Sequence, residues 1–206
     1  MTTGADSEEG LDLCFALSYY CRIRFISRLL PVLRASRDAR VLSVLNGGNE
    51  KGILVEDLDL SQPGKHSLMA VVNHTTTMTS LALEHLARQE PSVAFLHSYP
   101  GWVKTDILAH IKRAVLLSSL AAFLPLIMAV VEVVLFFLGT PLREAGERQV
   151  YHLTDHFYRS SVVNRVRRID WLSDEVLGGK FFLQQKDQNI RQCVWEHTMQ
   201  TFDGIN

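Results

Sequence analysis

Between Arg40 and Thr105 the chain reads strand, helix, strand, and that order constrains its fold more than any other feature of the 206 residues. Val41, Leu42, Val44 and Leu45 form an apolar run interrupted only by Ser43, and Asn46-Gly47-Gly48-Asn49 ends it, as a buried strand followed by a turn would. After a polar stretch closed by Pro63-Gly64, a helical pattern runs from about Ser67 to Arg88, with Leu68, Val71, Val72, Met78, Leu81 and Leu86 apolar. Val93 to His97 is a second buried strand. A strand, a crossover helix and another strand predict a right-handed βαβ unit in a parallel sheet, so the fold class is α/β.

Two strands make a poor sheet, since sheets in compact domains usually have about five or six. Lys180 to Gln184 is a third candidate; otherwise the sheet is a remnant, or a partner chain completes it. Upstream, Leu11 to Ala35 has a helical period, with Pro31 predicting a late kink or an end. The expected organisation is one domain over 1–206, with a polar start at 1–10, a core at 11–106, an apolar segment at 114–138 and a helical region at 139–206. A content of 47% hydrophobic residues suffices for one buried core. The net charge of -1 leaves no basic footprint, so nucleic acid is not an expected partner.

Cys14, Cys21 and Cys193 form no metal or disulfide pattern and read as buried or free thiols. The acidic opening, Met1 to Gly10, lacks the basic and apolar regions of a secretory signal. Residues 114–138 are apolar apart from Glu132, with Pro125 inside, and are long enough to cross a bilayer. Three readings stand: a transmembrane helix, a monotopic anchor beside an apolar-substrate site, or two buried helices broken at Pro125. The first two place the protein at a membrane and the third in the cytoplasm.

Several motifs together resemble the short-chain dehydrogenase/reductases. Arg40-Val41-Leu42-Ser43-Val44 with its Gly-containing turn is similar to the strand that ends in that family's catalytic serine. Ser80-Leu81-Ala82-Leu83-Glu84-His85-Leu86-Ala87 resembles the end of its active-site helix, and Pro100-Gly101-x-Val103-x-Thr105 its P-G-x-V-x-T turn. The ordered set spans Leu11 to Asp106 and implies an incomplete Rossmann-like parallel sheet with flanking helices and a long apolar helical segment. The chain resembles the last two-thirds of a family member, as if the N-terminal part were lost. The resemblance also implies NAD(P) as cofactor and hydride exchange with a carbonyl or alcohol, here of an apolar, secondary-metabolite type. An inactive relative that binds a membrane or a partner is the alternative.

The family's working groups are replaced. The asparagine position holds Ser18 and the serine position Asn46; the tyrosine falls near His66 or Ser67, and the lysine near Ala70 or Val71. No Y-x-x-x-K and no G-x-x-x-G-x-G occurs. Ser18, Asn46 and His66 are the substitute candidates, for holding a water, binding a carbonyl and donating a proton. Pro100, Gly101, Val103 and Thr105, with Lys104, are the positions that the resemblance assigns to cofactor contact.

Other signals are weaker. Asn73 opens a formal glycosylation sequon, Asn73-His74-Thr75, on the crossover helix. His152 and His156 have two-ligand spacing without a third, and no metal is expected. Arg159, Arg165, Arg167 and Arg168 read as a solvated basic face, and Ile190 to Phe202 as a helix.

Overall fold

A computed structural model of the chain describes residues 7–105, 137, 139–158, 165–179, 182 and 188–205. It divides into two compact units, 1–99 with 153–206, and 100–152.

In the first unit, α1 (Leu13–Phe15), a π-helical turn (Ala16–Tyr20) and α2 (Cys21–Arg34) form one continuous helical run. Asp12 caps its start by accepting from the Phe15 amide at 2.9 Å. Pro31 lies inside α2, which continues to Arg34 before the Ala35 amide closes onto Val32 and Leu33. Strand β1 (Ala39–Val44), helix α3 (Leu68–Gln89) and strand β2 (Val93–Ser98) follow at the expected positions. Ser67 caps α3, its hydroxyl accepting from the Ala70 amide at 3.2 Å.

The sheet has four strands in the order β1-β2-β3-β4, where β3 is Val166–Ile169 and β4 is Glu175–Val176. β1, β2 and β3 are parallel, whereas β4 runs antiparallel to β3, so the sheet is mixed rather than purely parallel. Both β3 and β4 lie outside the predicted strands. Of the predicted 180–184 segment only Phe182 is described; it is helical and buried in the core.

Val41, Phe95 and Val166 are in register across three strands and so share one face. Ile23, Ile26 and Leu30 of α2, Met78, Leu81 and Leu86 of α3, and Val194 and Phe202 of α5 (Gln188–Gly204) join them in one core cluster. A smaller cluster of Leu96, Ile169 and Tyr158, with Leu42 against it, covers the opposite face; Tyr158 comes from the 3-10 turn His156–Tyr158.

The second unit contains α4, which runs from Leu142 to Thr154 and so ends just past it. Within this unit Val103 pairs with Thr140; the Lys104 amide donates to the Thr140 carbonyl at 3.0 Å, and the Thr140 amide to the Trp102 carbonyl at 2.8 Å. The 114–138 segment lies outside the described residues except for Phe137. Among the described residues no helix is long and apolar enough to cross a membrane, so the transmembrane expectation gains no support there.

Candidate functional site

The row of the sheet after Val41, Phe95 and Val166 is polar: Ser43, His97 and Arg168 are in register and buried on the α3 face. This corrects the reading of a solvated basic face. Arg168 Nε donates to Glu50 Oε1 at 2.7 Å, its Nη2 to Glu84 Oε1 at 2.9 Å, and its guanidinium lies 4.2 Å from the Phe182 ring centre. Arg191 Nη1 approaches Glu84 Oε2 at 3.5 Å. Arg167 is also buried, over the Phe157 ring at 4.7 Å, whereas Arg165 is exposed and pairs with Glu175 at 2.8 Å. Arg159 lies outside the described residues.

Ser80 joins His97 to this network. Its hydroxyl donates to Glu50 Oε1 at 2.5 Å, and it lies 2.7 Å from His97 Nδ1. The hydroxyl has one proton, given to Glu50, so Nδ1–H of His97 is the donor in the second bond. His97 is then the neutral Nδ1–H tautomer, and its buried Nε2 has no partner. Burial pushes its pKa down to about 4; Glu50 opposes the shift and Arg168 adds to it. Burial raises the Glu50 carboxyl, but Arg168, Ser80 and the backbone outweigh it and hold the group below the usual carboxylate range. A closed set of paired charges around a neutral histidine is structural in character.

The glycines after β1 are fixed by packing. A Cβ on Gly47 would sit 2.1 Å from the His97 carbonyl oxygen, one on Gly48 2.6 Å from Val176, and one on Gly179 2.3 Å from the Glu50 carbonyl oxygen. Gly47→Ala is therefore expected to lower stability by about 1–3 kcal/mol in urea unfolding. Gly146, with open space around its Cβ position, is the control, and an Ala there should not destabilise.

The three substitute candidates sit in separate surroundings. Ser18 is half-buried in the π-helical turn, and Asn46 Oδ1 accepts from Asn49 Nδ2 at 2.9 Å. His66 Nε2 lies 3.1 Å from Asp12 Oδ2, and its buried Nδ1 has no partner. No hydrogen bond joins these three candidates to one another. Of the alternatives for the family's tyrosine and lysine positions, Ser67 serves as the cap of α3 and Val71 is buried in the core.

Pro100, Gly101, Val103 and Thr105 lie in the second unit, where Gly101 takes a positive φ of 75° that favours glycine. Asn73 is half-buried on α3, and the Thr75 hydroxyl donates to the Val71 carbonyl at 2.8 Å. His152 is buried near the end of α4 and His156 exposed in the 3-10 turn; among the described residues no group of three ligands is placed to hold a metal. Cys14 and Cys21 are exposed and Cys193 is half-buried, all free thiols.

The network around Glu50 and the Asp12–His66 pair are what sequence reasoning missed. Glu50 follows the Gly-containing turn and Glu84 sits in the family-like helix end, but their partners are 118 and 84 residues away.

No family model matches the chain. It is 35% identical to "Oxidoreductase AN1596" of Emericella nidulans, over 96% of this chain and 63% of that protein. It is also 35% identical to "Oxidoreductase lepF" of Aspergillus flavus, over 96% of this chain and 64% of the relative. "Short-chain dehydrogenase/reductase SAT2" of Stachybotrys chartarum is 29% identical over 97% and 60%. Along nearly its whole length the chain is similar to fungal proteins named as oxidoreductases and as a member of the short-chain dehydrogenase/reductases. It spans somewhat under two-thirds of the length of these relatives.

Active members of this family use NAD(P). The Gly47-Gly48 turn does not fit the phosphate half of that cofactor, because both glycines lie against His97 and Val176 and leave no open backbone cradle there.

Proposed function

We propose that the protein takes part in oxidoreduction at a hydroxyl or carbonyl carbon of an apolar metabolite, as an NAD(P)-linked short-chain reductase. The observation that supports this most is the ordered β1-α3-β2 unit, together with 35% identity along 96% of the chain to proteins named oxidoreductases. The apolar stretch 114–138, following the Pro100-Gly101 turn in the chain, favours an apolar substrate. Phosphate binding then falls to groups other than the Gly47-Gly48 turn. β1 is an end strand of the described sheet, and a partner that extends the sheet adds there.

The test is titration with NADPH and NADH, read by quenching of Trp102, Trp171 and Trp195, followed by nicotinamide consumption with apolar ketones. Saturable quenching with turnover is the expected result. No binding at millimolar dinucleotide overturns the reading and leaves a partner-binding relative without turnover.

A further inference from the structure

We infer that two copies of this chain pair through the outer face of the α1–α2 run, antiparallel across a twofold axis near Cys21. Leu17, Cys21, Phe25 and Val32 lie at i, i+4, i+8 and i+15, which places them on one helix face. Leu17 is 61% exposed, Phe25 66% and Val32 69%, although the other face of the same run, with Tyr19, Ile23, Ile26 and Leu30, is buried in the core. Leu13, also exposed, continues the stripe towards the start of the chain. The first turn of α3 adds Leu68 and Met69, 73% and 68% exposed, beside the start of the run, where His66 Nε2 meets Asp12 Oδ2 at 3.1 Å.

A helical run that is apolar on two faces has two surfaces to bury, and the fold of one chain buries one of them. The exposed side chains amount to apolar surface on the order of 800 Å². That is more than the largest patch of a typical monomer, and it matches the share that each partner gives to an interface of standard size.

Charge selects the orientation. Glu8 and Glu9 are exposed just before the run, and Arg28 and Arg37 are exposed towards and beyond its end. An antiparallel second copy sets the acidic start of each chain beside the basic end of the other, twice over, whereas a parallel copy brings like charges together. Arg28 is the one charge on the stripe itself; in the pair its aliphatic stem lies across the partner's stripe and its guanidinium reaches the rim. Arg24, at the edge of the stripe, donates to the Phe202 carbonyl at 3.2 Å and stays with its own chain.

Full overlap of the stripe from Leu13 to Val32 with its antiparallel copy puts the axis between Arg22 and Ile23. With the rise of an α-helix and the usual interaxial distance, Cys21 and its copy then lie within roughly 10 Å of each other, and Cys14 and its copy roughly 25 Å apart. Both thiols are exposed and free, so they report the geometry without any added residue. The pairing goes beyond the oxidoreductase reading, and turnover does not bear on it.

Sedimentation equilibrium of the full chain over the micromolar range should give a dimer. Phe25→Glu should raise the dissociation constant at least ~30-fold, as loss of an interface hot spot does, with the circular dichroism unchanged. Glu8→Lys with Glu9→Lys should weaken the dimer, and adding Arg28→Glu with Arg37→Glu should restore it. A bismaleimide with an ethylene spacer should join chains that keep only Cys21 (Cys14→Ser, Cys193→Ser) and leave those that keep only Cys14 (Cys21→Ser, Cys193→Ser) unjoined. A wild-type chain that is monomeric throughout the range, a dimer indifferent to Phe25→Glu, or cross-linking through Cys14 overturns the pairing. So does a monomer that co-sediments with phosphatidylcholine vesicles and is released by Phe25→Glu, which would give this face to a lipid surface.

Discussion

Arg168→Leu is expected to destabilise the protein by about 3–5 kcal/mol, because it removes one partner of a buried ion network and leaves carboxylates behind. Arg168 is the only described cation within hydrogen-bond distance of Glu50, whose side chain is fully buried, and it shares Glu84 with Arg191. The loss of the guanidinium over Phe182 adds to the effect. For a chain of this length the change corresponds to a drop in Tm on the order of 10 °C. Arg165→Leu, three residues earlier, is the control: its side chain is 53% exposed, and its ion pair is worth about 0–1 kcal/mol. Urea unfolding of both variants decides the matter, and equal small losses would return Arg168 to the solvated face that its sequence neighbours suggest. Adding Glu50→Gln to Arg168→Leu should recover part of the loss, since the stranded charge is then gone.

The same arginine shows why β3 was not legible. Val166-Arg167-Arg168-Ile169 has two charges in four residues, which reads as surface by any local rule. It is a central strand only because Glu50, Glu84 and Glu175 come to it from elsewhere in the chain. By contrast, β1, α3 and β2 carried their evidence locally, in apolar runs, a turn and the Ser67 cap. The run of threonines in α3 is a poor helix former on propensity alone. It is accommodated because Thr75 and Thr79 donate their hydroxyls to carbonyls four residues back, at 2.8 and 2.7 Å.

The candidate site was legible by residue and not by geometry. Counting from Ser80 brings attention to His66, and the structure supplies what counting lacks, the Asp12 carboxylate 54 residues away in sequence. Counting also selects Ser18 and Asn46, yet the hydrogen bond of Asn46 is to its own turn. Spacing locates the level of the fold at which a side chain sits, whereas its partner depends on which other segment crosses there.

Stability should fall as the pH drops from about 6.5 to 4, by roughly 3 kcal/mol from His97 alone. The neutral ring donates Nδ1–H to Ser80, and a second proton at Nε2 would be buried with no acceptor. The unfolded chain takes up that proton near the ordinary value of 6.5, whereas the folded protein resists until about 4. Protons therefore favour the unfolded state throughout this window, and the contribution of His97 is complete above it and lost below. His74 acts in the same direction: burial lowers its pKa, its Nδ1–H donates to the Leu58 carbonyl at 3.1 Å, and its Nε2 accepts the Leu54 amide at 3.2 Å, a bond that protonation breaks. Urea unfolding of wild type and His97→Gln at pH 7.5, 6.0 and 5.0 separates the contributions. The variant, whose amide can still donate to Ser80, should start lower and lose less on acidification, with the difference in slope belonging to His97. A wild-type curve that stays level to pH 5, or a variant with the same slope, would mean that the buried ring takes its second proton without loss and that Nε2 has a partner in solution.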